Sequence, residues 1–108
     1  MLTPVVSHAW DLSPREAVAL QRNLAGRIER RDRLDPVSLV AGIDVSVRGD
    51  LARSAVVVLR LPELDVVEQV LAERPVTFPY IPGLLSFREA PVILDALERL
   101  ESTPQVLM

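Results

Sequence analysis

Pro75, Pro79 and Pro82 put three prolines within eight residues, and this stretch divides everything else in the chain. Each proline removes a backbone donor and fixes φ at about −65°. A strand through 75–82 would lose its ladder, and a helix would lose its turns. The segment is therefore an ordered loop without regular pairing. What lies before it and what lies after it must be separate elements joined through a stiff connection.

Two patterns precede the loop. Ser13-Pro14-Arg15-Glu16 is a capping box with proline at the first helical position. Ala17, Leu20, Leu24 and Ile28 recur behind it at helical spacing. A helix is expected from Pro14 to Arg33, stopped by Asp35-Pro36. The period then switches. Ser38 to Val47 is rich in valine and isoleucine, Arg48-Gly49-Asp50 offers a turn, and Ser54 to Leu61 reads as a second strand. Pro62-Glu63 breaks the pattern, and Asp65 to Glu73 reads as a third strand. Connections this short favour an antiparallel meander.

Downstream of the loop, Gly83 to Arg88 can form a short helical turn. Pro91 opens a helix rather than sitting inside one. Ile93, Leu94, Leu97 and Leu100 give that helix an apolar stripe, from Pro91 to Glu101. Ser102-Thr103-Pro104 stops it, and Gln105-Val106-Leu107-Met108 begins another strand. A helical crossover makes that strand parallel to one of the meander. The result is an α/β layout with a mixed sheet, in one domain over residues 1–108.

Composition narrows the function classes. A chain of 108 residues with 49% hydrophobic content is not intrinsically disordered, and it can bury a modest core. Apolar runs such as Ala55 to Leu61 are too short to span a bilayer, and Met1 to Trp10 lacks the basic start and apolar block of a secretory signal. No membrane partner is expected. The absence of cysteine excludes disulfides and cysteine-ligated zinc, and fits a reducing compartment, the cytoplasm. The net charge of −3 is not the overall signature of a nucleic-acid binder. All 12 basic residues are arginine, however, and six lie between Arg15 and Arg33. They form either a basic patch within an acidic chain or a solvated helix face.

Three residues stand out chemically. Asp44 interrupts the apolar strand Val40-Ala41-Gly42-Ile43-Asp44-Val45-Ser46, and alternation sets it with Gly42 and Ser46, opposite Ile43, Val45 and Val47. An aspartate in a strand needs a cation, hydrogen-bond donors or a position at the rim. Glu89 lies just before Pro91, where a carboxylate either complements a helix dipole or reaches a site. If the helix packs on the sheet, the two can converge at one end of it. Carboxylates about 4 Å apart repel by about 4 kcal/mol at an effective dielectric near 20, and a shared divalent cation relieves that. Oxygen ligands select Mg2+, with Mn2+ as the alternative, and such a site suits phosphodiester hydrolysis. Tyr80, the only tyrosine, is held between Pro79 and Ile81-Pro82. A stiff loop can present it as a wedge between bases, or the ring can simply cap the core. Gly83 permits a positive φ or close backbone approach. His8 and Trp10 read as packing or surface residues.

The segment Pro79-Tyr80-Ile81-Pro82-Gly83-Leu84-Leu85-Ser86-Phe87-Arg88-Glu89-Ala90-Pro91 closely resembles the signature of the endonuclease V family. Ala41-Gly42-Ile43-Asp44-Val45-Ser46 resembles that family's first catalytic strand, at a compatible distance upstream. The resemblance covers nearly the whole chain. It implies a ribonuclease H-like fold and magnesium-dependent cleavage of DNA at the second phosphodiester bond 3′ to deoxyinosine. DNA with other deaminated bases and inosine in RNA are implied as further partners. By the same resemblance, Asp44 and Glu89 are metal-binding catalytic carboxylates. Tyr80 with Pro79, Ile81 and Pro82 forms the wedge, and Gly83 and Leu85 wall the pocket for a flipped base.

The chain departs from the family at its end. The family's strand that begins like Gln105 to Met108 runs on into a Val-Asp-Gly motif whose aspartate is a further metal ligand, and a later lysine and histidine follow it. The sequence stops before all of these. The expectation is a partial endonuclease V, truncated at the parallel strand, with little or no nuclease activity alone. An open sheet edge would favour self-association. The alternative is a non-catalytic nucleic-acid-binding remnant of the family. A sugar kinase-type ATPase of the same fold is disfavoured, because the four glycines are not clustered into a phosphate loop.

Overall fold

β1 (Leu39–Arg48), β2 (Leu51–Arg60) and β3 (Asp65–Pro75) form the expected antiparallel meander in the computed structural model, which describes residues 2–108. β1 and β2 are joined by Gly49-Asp50 alone, and Gly49 takes φ +60°. Two-residue hairpins need this positive φ to match the right-handed twist of the strands, and glycine supplies it without strain. With so short a turn, register is fixed from Arg48↔Leu51 to Leu39↔Arg60. β2 therefore begins at Leu51, three residues before the Ser54 expected from its valine run, because turn geometry and not valine content sets its start. A bulge opposite Val58/Leu59 shifts the β2–β3 register by one residue.

β4 (Val106–Leu107) pairs in parallel with β1, giving the sheet order β3-β2-β1-β4. The crossover into β4 is α2 (Leu85–Glu98), which covers one face of the sheet. On that face Ala41, Ala52, Val56, Val58 and Ala72 meet Val92, Ala96, Leu97 and Leu100. Full burial of a valine or leucine contributes about 1.5–3 kcal/mol, so this cluster is the main source of stability. One polar atom sits within it: Ser54 Oγ is buried and has no hydrogen-bond partner.

Two expectations about helices are corrected. Pro91 lies inside α2, not at its start. It removes the bond to the Phe87 carbonyl, a cost of about 3 kcal/mol. The helix continues because side chains are buried on both sides of the proline: Phe87 before it, and Val92, Ala96 and Leu97 after it. The first helix, α1 (Pro14–Ala25), ends at a Gly26 cap instead of reaching Arg33. Its start is as expected, with the reciprocal Ser13–Glu16 capping box in place. Beyond Ala25 the helical period continues in sequence, but Ile28 is 67% exposed and has nothing to bury against. Local bonds replace the helix. Glu29 accepts from the Arg31 amide and the Arg33 guanidinium, and Asp32 accepts from the Leu34 amide. Only Arg15 and Arg22 of the six clustered arginines are on α1; the others decorate the irregular, exposed stretch 26–38.

Candidate functional site

β3 runs on through Pro75, which pairs with Leu51 instead of belonging to the unpaired loop, so the loop spans Val76 to Leu84 and is fixed by what it buries. Phe78 and Leu84 are nearly inaccessible and Ile81 is half-buried, while Pro79, Tyr80, Pro82 and Gly83 are exposed. Phe78 and Leu84 join Ala17 of α1 and Phe87 of α2 in a second buried cluster, flanked by Trp10. The rings of Phe78 and Phe87 lie 5.6 Å apart, and Trp10 meets Phe87 edge-on at 5.7 Å. Trp10 is thus a packing residue, one of the two roles its sequence context allowed, and the His8 ring lies 4.3 Å from it, tilted by 56°.

Between these anchors the backbone turns sharply. Ile81-Pro82-Gly83-Leu84 has proline second, glycine third at φ +86°, and the Leu84 amide donating to the Ile81 carbonyl at 2.9 Å. These are the features of a type II turn, whose third position strains any residue with a Cβ. Two side chains brace the loop from outside. Arg88 Nη1 donates to the Phe78 carbonyl at 3.0 Å, and Gln21 Nε2 donates to the Gly83 carbonyl at 3.1 Å. Arg88 is next to Glu89 in sequence, yet its guanidinium closes the loop. Gln21 carried no signal at all, being 62 residues from its partner. With both ends held, Tyr80 projects from a rigid base at 69% exposure. Leu85, the first residue of α2, is half exposed. A cleft of about 180 Å³ next to the loop is lined by Asp50, Thr77, Phe78, Pro79 and Arg88, among others, but not by Gly83 or Leu85.

Asp44 stands on the face of β1 opposite the one packed by α2, exposed, and its Oδ1 accepts from the Val45 amide at 3.0 Å. In the sheet it pairs with Ala55 on one side. On the other side β4 runs parallel, with Ala41↔Leu107 in register and the Ile43 amide donating to the Met108 carbonyl. Glu89 lies in the second turn of α2, half-buried. The two carboxylates come from different layers of the fold. Among the described residues, no group of three or more Asp, Glu or His is assembled for a metal ion. The donors that are present are hard oxygens, which suit magnesium or manganese and not a thiophilic metal.

Comparison with known proteins adds a family. Residues 22–108 match the family model described as endonuclease V. The chain is 44% identical over 104 residues to the endonuclease V of Nostoc punctiforme, covering 94% of this chain and 47% of that one. It is 48% identical over 103 residues to the endonuclease V of Dehalococcoides mccartyi strain CBDB1, covering 94% and 46%. Among solved structures, endonuclease V from Streptomyces avermitilis superposes with a TM-score of 0.82 at 40% identity, over 91% of this chain and 45% of that one. Ciona intestinalis endonuclease V, in complex with DNA containing an inosine followed by a ribo-adenosine, gives a TM-score of 0.77 at 32% identity over 86% and 44%. The chain spans about half the length of the curated relatives it matches.

Proposed function

Because the chain belongs to the endonuclease V family, we propose that it supplies the lesion-opening loop and two metal ligands of a metal-dependent nuclease acting beside deoxyinosine in DNA. Its mixed sheet, with α2 crossing over to β4, is part of the ribonuclease H-like fold of that family. The observation that carries the reading is the loop. Tyr80 projects from a turn held at both ends by side-chain bonds and anchored by buried Phe78 and Leu84. A wedge must resist being pushed back by the stack it enters, and it loses little entropy on binding if it is already ordered.

In this reading Asp44 and Glu89 would hold a divalent cation, Mg2+ or in its place Mn2+. Bound there, the metal supplies activation of water and stabilisation of the leaving oxygen. Asp44 is exposed on the uncovered face of the sheet, and Glu89 is on α2, which covers the other face, so the reading requires an ion reached from both layers. Pro79, Tyr80, Ile81 and Pro82 would part the strands, and Gly83 with Leu85 would border the displaced base. Deaminated bases other than hypoxanthine, and inosine in RNA, are further substrates of the same chemistry. The reading places the protein in the cytoplasm. No helix among the described residues is long and apolar enough to cross a membrane. Past Ile43 the β4-side edge of β1 is unpaired among the described residues, and self-association through it is part of the proposal.

A chimera tests the nuclease reading: this chain replaces the matching part of the Streptomyces avermitilis relative. Nicking of an inosine-containing oligonucleotide in magnesium is expected, reduced to background by Asp44→Asn or by Glu89→Gln. An inactive chimera that folds, or one indifferent to both substitutions, would contradict it. A second reading, inosine binding without cleavage by this chain alone, is favoured by the lack of a three-residue metal cluster among the described residues. Binding without nicking by the 108-residue protein is the outcome that supports it.

A further inference from the structure

We infer that Gln21 is a positioning residue for the Pro79–Gly83 loop, acting through the Gly83 carbonyl. The inference rests on the reading of that loop as the element that enters DNA, and it adds a residue outside the loop and its helix. The Gly83 carbonyl and the Leu84 amide belong to one peptide plane. The amide is tied within the loop, to the Ile81 carbonyl at 2.9 Å; the carbonyl is tied to α1, through Gln21 Nε2 at 3.1 Å. That plane is the exit of the turn. At φ +86°, glycine has no Cβ to restrict its rotation. The Gln21 bond is the contact that ties this plane, and with it the turn that carries Tyr80, to a second helix.

Gln21 is suited to this by its place on α1. It lies four residues after Ala17, on the same helix face, and Ala17 is fully buried in the cluster that also holds Phe78 and Leu84. The helix is thus fastened to the loop's anchors one turn before the amide reaches the loop's carbonyl. Arg88 holds the entrance from α2, through the Phe78 carbonyl. The two ends of the exposed tip are braced from two different helices, so a change at either helix re-aims Tyr80 without touching it.

The test uses the 108-residue protein with Gln21→Ala and Gln21→Glu. The probes are a labelled DNA duplex with one deoxyinosine and the same duplex without it. Both substitutions should lower the preference for the inosine duplex about threefold to tenfold, the range of one net hydrogen bond, with affinity for the undamaged duplex within about twofold of wild type. Gln21→Glu keeps the length and packing of the side chain but cannot donate at neutral pH, so wild-type preference in that variant overturns the inference. A second readout does not depend on DNA. Hydrogen exchange at the Leu84 amide should accelerate about tenfold in both variants, with exchange at Val56 in β2 unchanged. Unaltered Leu84 exchange overturns the inference. If wild type and Tyr80→Ala bind both duplexes equally, the DNA reading of the loop fails, and Leu84 exchange still decides whether Gln21 holds it.

Discussion

Under the C-terminal half of α2 the sheet offers Ala41, Ala52, Val56, Val58 and Ala72; around the first turn of the same helix, Phe78, Leu84 and Phe87 meet Ala17 and Trp10. The first cluster is aliphatic, and it forms between a hairpin meander and the helix that follows it. The second is aromatic, and it gathers pieces from three places: the N-terminal segment, α1 and the proline loop. A helix with a proline in its middle serves both. The difference separates stability from aim. The aliphatic cluster holds the sheet together, whereas the aromatic one decides where Tyr80 points.

The largest effect on stability should come from the aliphatic side. Leu100→Ala removes a buried leucine (1% exposed) and should cost about 2–5 kcal/mol in denaturant unfolding. The folded fraction should keep the preference for inosine DNA proposed for wild type. A loss of preference beyond the loss of folded protein would show that the clusters are not separable. Phe87→Leu should cost less, about 1–2 kcal/mol, since much of the volume is retained and mainly the ring contacts with Trp10 and Phe78 are lost. Preference for inosine DNA should nevertheless fall further than in Leu100→Ala. Equal preference in the two variants would break the comparison.

Ser54→Ala sharpens it from the other direction. The hydroxyl is buried on the aliphatic side without a partner, so its removal should raise stability by about 1 kcal/mol and leave DNA binding unchanged. A destabilised variant would mean that the hydroxyl is satisfied in solution. The smallest effect is pH-dependent. The Ser102 hydroxyl, then the Glu101 and Ser102 amides, hold the Glu68 carboxyl below its ordinary value of 4.5. A lowered carboxylate adds stability above its unfolded value, and that stability is lost as pH falls through the folded value. Glu68→Gln should therefore be slightly less stable than wild type at neutral pH, with the gap closing as pH drops below 4.5. A gap that persists or widens in acid would contradict that assignment.

Much of the aliphatic half was legible in the sequence. Alternation and the short Gly49-Asp50 turn fix the meander, and they place Asp44 on the face away from Ile43 and Val45. The aromatic half was read less well, because its bonds are long-range. Periodicity extended α1 to Arg33, but a helix persists only where its stripe finds a surface, and Ile28 finds none. Pro91 suggested a boundary on local grounds, and burial on both sides of it overrode them. The loop's rigidity was legible from its prolines. Its braces were not, since nothing local marks Gln21 or distinguishes an arginine that bonds a backbone carbonyl from one that pairs with its neighbour.

The central claim is that the Tyr80 loop reads a lesion. It is tested most directly by titrating the 108-residue protein against two duplexes that differ only by one deoxyinosine, with wild type and Tyr80→Ala side by side. Tyr80 is exposed, so the substitution should leave stability nearly unchanged, within about 0.5 kcal/mol. The account predicts tighter binding of the inosine duplex by wild type, and loss of most of that preference in Tyr80→Ala. Equal affinity of wild type for the two duplexes, or an undiminished preference without Tyr80, would contradict it.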